Sequence, residues 1–228
     1  MLEKWKKLDN AMEMNVTPYN EDGAAWDAFV ASRDDSTNYH LYGWRRVIEK
    51  SFGHRTYYIS ARNSDNEICG VLPLTHMKSA LFGNFLVSLP FFNYGGLLCN
   101  YDETASAILV EAERTLSEVN ADHVELRHLN VCRQGLATKE HKVTMILDLR
   151  NNEEAQWKAL DAKVRNQVRK AEKSGLTAVS GHLDLLEGFY EVFCRNMRDL
   201  GTPVYGCNFF RNVLETFPET TRIISVLL

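Results

Sequence analysis

Cationic side chains are concentrated in the run LDAKVRNQVRKAEKSGL, from Leu160 to Leu176. Apolar residues in this run recur at three- and four-residue steps, which predicts a helix with an apolar face and a cationic face. The cations are Lys163, Arg165, Arg169, Lys170 and Lys173. Such a face would bind phosphate, carboxylate or a nucleic-acid backbone, and arginine suits this because its guanidinium forms paired hydrogen bonds to an anion. The alternative is an ordinary solvated helix face.

A second candidate site lies in the run FFNYGGLL, from Phe91 to Leu98. Asn93 and Tyr94 precede Gly95 and Gly96, and glycine permits positive φ angles and a close approach to the backbone. The run is therefore expected where a ligand lies against exposed amides at a strand end. A glycine-containing turn between two strands is the equally weighted alternative.

Residue patterns for metal binding or nucleophilic catalysis are absent from the sequence. His123 and His128 lie on one predicted strand, where a separation of five residues places them on opposite faces. The sequence contains no G-x-S-x-G, Walker or G-x-G-x-x-G motif. We therefore predict no metal, and the catalytic residues, including the general base, remain unassigned.

Composition limits the class of protein. The 228 residues are 45% hydrophobic and 25% charged, with a net charge of −4, which excludes a surface that coats DNA. Five scattered cysteines favour reduced thiols, and no apolar run approaches the roughly 20 residues of a membrane span. We expect a cytoplasmic protein without a transmembrane segment, for which peripheral membrane contact stays open.

Changes of hydrophobic period predict a mixed α/β protein. In the first part we expect a strand at 12–18, helices at 21–32 and 40–51, three antiparallel strands between 54 and 92, a helix at 102–119, and strands at 123–128 and 141–149. A similar cycle then follows, with the basic helix, a strand at 177–180, helices at 182–200 and 207–217, and a strand at 221–228.

These cycles predict one complete domain at 1–150 and a second part at 151–228, made of the linking basic helix and an incomplete domain. The apolar strand IISVLL at the end has no successor to pair with. We therefore expect either a fragment or a half that another chain completes. As given, the chain is expected to be inactive and prone to association.

The order strand, helix, helix, three antiparallel strands, helix, strand resembles the acyl-CoA N-acyltransferases of the GNAT kind. The run RQGLA at 133–137 does not match their pyrophosphate loop, Q/R-x-x-G-x-G/A, so no cofactor is predicted in this chain. The runs at 70–98, 160–176 and 196–205 resemble FemAB-like proteins with tandem GNAT-type domains. Among these, the similarity is greatest to the branch associated with exosortase (PEP-CTERM) and exopolysaccharide systems.

This resemblance implies a transferase that forms an amide bond. The better-known relatives move an aminoacyl group from aminoacyl-tRNA to the amine of a peptidoglycan precursor. The implied donor is acyl-CoA or aminoacyl-tRNA, and the implied acceptor is a small-molecule or nucleotide-linked precursor of the cell envelope or of an exopolysaccharide. The alternative is a non-catalytic GNAT-fold domain that recognises a nucleotide-linked sugar or a partner protein.

Such a reaction requires in-line positioning, a proton acceptor and stabilisation of an oxyanion. The backbone at Tyr94 to Gly96 and the guanidinium of Arg165 or Arg169 are the candidates for the anion contacts. Lys78 is a candidate for a substrate phosphate, and Tyr205 is expected to reach a cleft between domains. The sequence also predicts that replacing both arginines with alanine weakens binding of a phosphorylated ligand and leaves the thermal midpoint unchanged.

Overall fold

The computed structural model describes residues 14–81, 83–129, 135–139 and 143–228. The strands are β1 (Asn15–Pro18), β2 (Thr56–Arg62), β3 (Ile68–Ser79), β4 (Gly83–Val87), β5 (Leu98–Cys99), β6 (Val124–Glu125), β7 (Thr177–Gly181) and β8 (Ile223–Leu227). The helices are α1 (Gly23–Ala31), α2 (Trp44–Phe52), α3 (Asp102–Glu118), α4 (Glu153–Ala159), α5 (Ala162–Lys173), α6 (Leu186–Asp199) and α7 (Cys207–Thr216).

The larger sheet has the order β1-β2-β3-β4-β6, with β5 paired to β3. Its strand pairs are antiparallel except β4 and β6, which are parallel. Strands β7 and β8 form a separate antiparallel pair. The predicted mixed α/β class with a mixed sheet is therefore confirmed.

Strand β3 exchanges neighbours along its length. On one edge it pairs with β2 from Ile68 to Thr75, and on the other it pairs with β5 at Gly70 and Val71 and with β4 from Thr75 onwards. Pro73 lies in the interval between the two exchanged partners. Proline has no backbone N–H and is usually confined to sheet edges or bulges, and this interruption within a central strand meets the same need.

Apolar side chains cover both faces of the larger sheet. Helix α3 packs Ala105, Ile108 and Ala112 on one face, against Leu72 and Leu74 of β3 among others. The opposite face carries two further clusters, one that includes Trp26 of α1 and one that includes Trp44 of α2. The alternation of side chains along β2 and β3 supplies both faces, as expected for a sheet with helices on each side.

The chain divides into two compact units. The first consists of residues up to 132 together with 205–217, and the second of 133–204 together with 218–228. This division differs from the boundary predicted at residue 150, because α7 packs in the first unit, where Phe209 joins Trp44 and Ile48 in a buried cluster. The identity of each unit as a GNAT-type domain stays a prediction.

Helix α5 in the second unit differs from its sequence prediction. The apolar residues expected to be buried include Val164 and Val168, which are 46% and 38% exposed, and the helix has no buried residue. Helix α4 contacts α5 through Arg165 and Arg169, two of the cations, and not through the apolar stripe. The spacing of apolar residues predicts an apolar stripe on a helix, but it does not show which element packs against that stripe.

The strand predicted at 141–149 is wrong for its described part, residues 143–149, which has no regular structure. Its apolar side chains are exposed, with Met145 at 92%. Alternating apolar residues form a strand only where a neighbouring strand can pair with them. Within the described chain, β7 and β8 pair only with each other, so neither pairs with residues 143–149. Residues 141 and 142 lie outside the described residues.

The ends of several elements also shift. Asp22 caps α1 by accepting from the Ala24 N–H at 3.0 Å, so the helix begins at Gly23 rather than at residue 21. Helix α2 begins at Trp44 rather than at His40, which instead ends a short 3-10 turn. Such shifts are ordinary, since caps depend on local geometry that composition does not determine.

Candidate functional site

The candidate site lies where the parallel strands β4 and β6 end. Ligands of open α/β sheets bind at the carboxyl ends of parallel strands, because the backbone diverges there and leaves polar groups unpaired. The segment after β4 is SLPFFNYGGL, residues 88–97, and Arg127 and His128 follow β6 shortly after its last residue. We call these residues, 88–97 with Arg127 and His128, the strand-end site.

Arg127 forms hydrogen bonds that connect the end of β6 to the segment after β4. Its backbone N–H donates to the Ser88 hydroxyl at 2.9 Å, and its Nη1 donates to the carbonyl oxygens of Leu89 and Phe92 at 3.3 and 2.7 Å. Its Nε contacts Glu125 Oε1 at 2.8 Å, which orients the guanidinium. The turn after β4 is therefore held by one side chain from the neighbouring strand end.

His128 holds the next part of the segment. Its Nε2 accepts from the Leu97 N–H at 3.0 Å. A Cβ on Gly96 would lie 2.7 Å from both the Arg127 carbonyl oxygen and the His128 ring, which no alanine could accommodate without a shift. Gly96 thus permits the contact between the two strand ends.

Gly95 has a different role. Its φ of +106° lies in the range that glycine adopts without strain. A Cβ there would lie 3.0 Å from the Tyr39 carbonyl oxygen and from Leu89. The close approaches inferred at both glycines are thus made by protein groups, and contact of a ligand with this backbone stays a prediction.

Tyr94 is the polar residue of the segment that lacks a partner. Its hydroxyl is buried, and none of the described residues forms a hydrogen bond with it. Its ring lies 6.3 Å from that of Tyr39, between centroids. A buried hydroxyl without a partner is unfavourable by roughly 1–3 kcal/mol, so a group supplied by a ligand or by water would satisfy it. The neighbouring Asn93 is exposed.

His40 approaches the site from the 3-10 turn. It is buried, and its Nδ1 accepts from the Thr37 N–H at 3.0 Å. Burial lowers the pKa of His40, and the nearby His128 lowers it further because two positive imidazoles would repel. His40 is therefore neutral at pH 7 and fixes the turn that carries Tyr39.

Aromatic rings form a wall beside the segment. Tyr205 lies 5.3 Å from Phe91 and 5.3 Å from Phe209, between centroids. Phe52 stands 4.3 Å from Phe91. Because Phe91 lies two residues before Asn93, Tyr205 is near the segment that carries Asn93. All three residues belong to the first unit.

Lys78 lies elsewhere on the sheet. It pairs across the strands with Asn84, near the exposed hairpin between β3 and β4. The strand-end site begins after Val87, at the opposite end of β4. The structure therefore separates Lys78 from the segment that carries Tyr94.

Arg165 and Arg169 belong to the second unit and contact α4. Arg165 Nη1 donates to the carbonyl oxygens of Lys158 and Leu160 at the end of α4, the first at 3.2 Å. The Arg169 guanidinium lies 5.4 Å above the Trp157 ring. Both side chains thus stabilise the α4–α5 turn, while Lys163, Lys170 and Lys173 are exposed.

Sequence reasoning missed Arg127, His128 and His40 as members of this site. It considered His128 only as a metal partner of His123. A usable signal was present, since Arg127 and His128 directly follow a predicted strand, as FFNYGG follows another. The parallel pairing that brings these two strand ends together was not expected.

The described residues contain no group of three or more His, Cys, Asp or Glu residues that could hold a metal ion. No helix among them is long and apolar enough to cross a membrane.

A protein-family model matches residues 120–226, and it describes the FemAB family. The matched stretch includes the basic helix α5. The solved structure of FemX resembles the chain with a TM-score of 0.64 and 17% sequence identity, over 92% of this chain and 57% of the FemX chain. Residues 120–226 are therefore similar to the FemAB family.

The likeness to FemX establishes the fold, and the predicted GNAT-like class is confirmed. The chain spans 57% of the FemX length. Two acetyltransferase structures also match, at 13% identity each. A GNAT family acetyltransferase from Staphylococcus aureus gives a TM-score of 0.37, over 59% of this chain and 98% of that one. Aminoglycoside 6'-N-acetyltransferase AAC(6')-Ih from Acinetobacter baumannii gives 0.36, over 60% and 99%. No curated protein matches the chain.

Proposed function

We propose that the protein is a transferase that forms an amide bond on a precursor of the cell envelope. The observation that carries this proposal is the match of residues 120–226 to the FemAB family. The fold shared with FemX supports it, because it extends the likeness across most of the chain. The donor is an activated ester or thioester, from aminoacyl-tRNA or acyl-CoA, and the acceptor is an amine.

The strand-end site suits the anionic part of this reaction. When the amine attacks the carbonyl carbon, negative charge develops on the carbonyl oxygen, and fixed N–H groups stabilise that charge. Within the described chain, the backbone N–H groups of Tyr94, Gly95 and Gly96 have no hydrogen-bond acceptor. The Leu97 N–H is already used by His128, so the oxyanion contacts fall to the three preceding residues.

The surface of α5 suits a phosphorylated substrate. Lys163, Lys170 and Lys173 are exposed, and Lys170 and Lys173 lie in the last turn of the helix. A nucleotide-linked precursor or a tRNA would meet this surface through its phosphates. A peptidoglycan precursor and an exopolysaccharide precursor both fit this description, and the exosortase-associated branch is a proposal from the sequence resemblance.

The test is a direct assay for a new amide. The protein is incubated with aminoacyl-tRNA or acyl-CoA and with nucleotide-linked envelope precursors, and products are identified by mass spectrometry. The matched control is the same precursor with its amine acetylated, which removes the nucleophile. We expect a product whose mass increases by one acyl group, only with the free amine. Tight precursor binding without product would instead favour a non-catalytic binding domain.

A further inference from the structure

We propose that helix α5 is a membrane-docking surface that binds anionic lipid headgroups. Its valine row, Val164 and Val168, enters the boundary between headgroups and acyl chains. Its lysine row, Lys163, Lys170 and Lys173, binds the lipid phosphates. This role is separate from the proposed transfer reaction, and it concerns the peripheral membrane contact that the sequence left open.

The valine row is in contact with solvent. Val164 and Val168 are four residues apart and therefore lie on the same side of α5. Their exposed fractions are 46% and 38%, and the helix has no buried residue. Apolar side chains at this spacing normally pack against a core. An apolar row that keeps so much of its surface in water is a candidate for contact with another apolar phase.

The lysine row is available to an anion. Lys163, Lys170 and Lys173 are exposed, and no ion pair joins them to another described residue. In contrast, Lys158 of α4 pairs with Glu154 at 2.6 Å. Lys163 and Lys170 are two turns apart, and Lys173 follows Lys170 by three residues, so the three cations lie near one another along the helix.

Contacts with α4 determine which side of α5 faces inwards. Arg165 Nη1 donates to the Lys158 carbonyl oxygen at 3.2 Å. The Arg169 guanidinium lies 5.4 Å from the centroid of the Trp157 ring. Both arginines therefore face α4, and the surface on the opposite side of α5 is turned away from it.

That opposite side carries the valine row and the lysine row together. Successive residues are about 100° apart around a helix, so Gln167 lies opposite the midpoint between the two arginines. Val164 lies on one flank of Gln167 and Lys163 on the other, and all three are exposed. An apolar row beside a row of lysines is the arrangement of helices that lie in the plane of a membrane interface, because lysine extends its ammonium group to the headgroups.

The charge of α5 is opposite to that of the whole chain. The helix has five cations and one acid, Glu172, whereas the chain has a net charge of −4. An anionic surface repels such a protein overall, so attraction has to come from a local cationic face. Binding to anionic vesicles would therefore report on a specific surface rather than on the average charge.

Phosphate is the group that a lipid headgroup shares with nucleotides and nucleic acids. The lysine row suits all three, since each presents phosphate oxygens. The valine row distinguishes them, because among the three only a bilayer has an apolar region directly beneath its phosphates. We therefore assign the surface to a lipid bilayer.

The first experiment measures sedimentation of the whole protein with lipid vesicles. We expect binding to vesicles of phosphatidylglycerol mixed with phosphatidylcholine, and much less binding to phosphatidylcholine alone. Binding should weaken as the salt concentration is raised. Equal binding to both kinds of vesicle, or no binding to the anionic kind, would overturn the inference.

The second experiment tests the two rows separately with matched controls. Val164→Asn removes apolar burial and Lys170→Glu removes an attraction, so each should lower the partition coefficient on anionic vesicles about tenfold. Val192→Asn is the control for the first, since Val192 is 68% exposed on α6. Lys50→Glu is the control for the second, since Lys50 is exposed in the last turn of α2. Controls that lose as much binding as the test variants would contradict a role for α5.

Folding of each variant is checked by its thermal midpoint, which should equal that of the wild type because the changed side chains are exposed. If Val164→Asn lowers the midpoint, Val164→Thr, which keeps the shape of valine, takes its place. Inorganic pyrophosphate is the probe for free phosphate. If it releases the wild type from vesicles while the Val164 variant binds as the wild type does, phosphate alone is recognised and the lipid assignment is overturned. Vesicle binding by a wild type that forms no amide would support this inference and overturn the proposed function.

Discussion

Arg127 and Phe92 are joined by a hydrogen bond of 2.7 Å between Nη1 and the carbonyl oxygen. The same nitrogen contacts the Leu89 carbonyl oxygen, so a single guanidinium spans the turn between β4 and the Asn93–Gly96 segment. The position of the candidate oxyanion contacts therefore depends on a side chain that touches none of them.

Replacing Arg127 with methionine should loosen this turn. Each hydrogen bond that involves a charged group contributes roughly 1.5–3 kcal/mol to stability, so we expect the free energy of unfolding to fall by about 2 kcal/mol. Amide exchange of residues 93–97 should become faster. Denaturant unfolding and hydrogen exchange measure the two effects. Arg114→Met is the control, because its ion pairs lie on the exposed surface and should change stability by less than about 1 kcal/mol.

Gly96→Ala should destabilise the first unit. The added methyl would lie 2.7 Å from a backbone oxygen and from an imidazole, and overpacking of this kind costs roughly 1–3 kcal/mol. Gly188→Ala offers the opposite case, since Gly188 lies in α6 with nothing within 4 Å of its added Cβ. There we expect a gain of about 0.5–1 kcal/mol. Equal effects at the two sites would contradict the close approach at Gly96.

Acid should weaken the fold through His40. Burial lowers the pKa of His40 in the folded state, whereas the unfolded imidazole binds a proton near its ordinary pKa of 6.5. Below that pH the unfolded state binds more protons, so the free energy of unfolding falls as pH falls. His40→Asn keeps an acceptor for Thr37 and removes the titration. Its stability should fall less steeply between pH 7 and 5, as measured by urea unfolding across that range.

Arg165→Ala should destabilise the α4–α5 turn. The sequence led us to expect a nearly unchanged thermal midpoint when Arg165 and Arg169 are replaced together, but the Arg165 guanidinium donates to carbonyl oxygens at the end of α4. We now expect a lower midpoint and a loss of roughly 1 kcal/mol. Lys170→Ala removes an exposed cation from the same helix and should leave the midpoint unchanged. A midpoint unaffected by Arg165→Ala would restore the sequence-based expectation.

Local pattern predicted much of the fold. The three central strands and helix α3 follow from hydrophobic period and turn chemistry that act within a few residues. The Tyr94–Gly96 backbone was identified in the same way. Glycine beside polar residues at a strand end is a local signal.

The remaining features depend on distant partners. The parallel pairing of β4 with β6 places Arg127 beside Phe92, and no pattern within either segment specifies that neighbour. The burial expected for Val168 failed for the same reason, since the spacing of apolar residues says nothing about which element lies opposite.

The packing of α7 in the first unit has a consequence for biosynthesis. The ribosome releases residues 133–204 before it releases Cys207–Thr216, so the aromatic cluster around Trp44 stays incomplete during that interval. Nascent chains should therefore expose this cluster until α7 emerges. A ribosome-associated chaperone is expected to bind the exposed cluster during that interval.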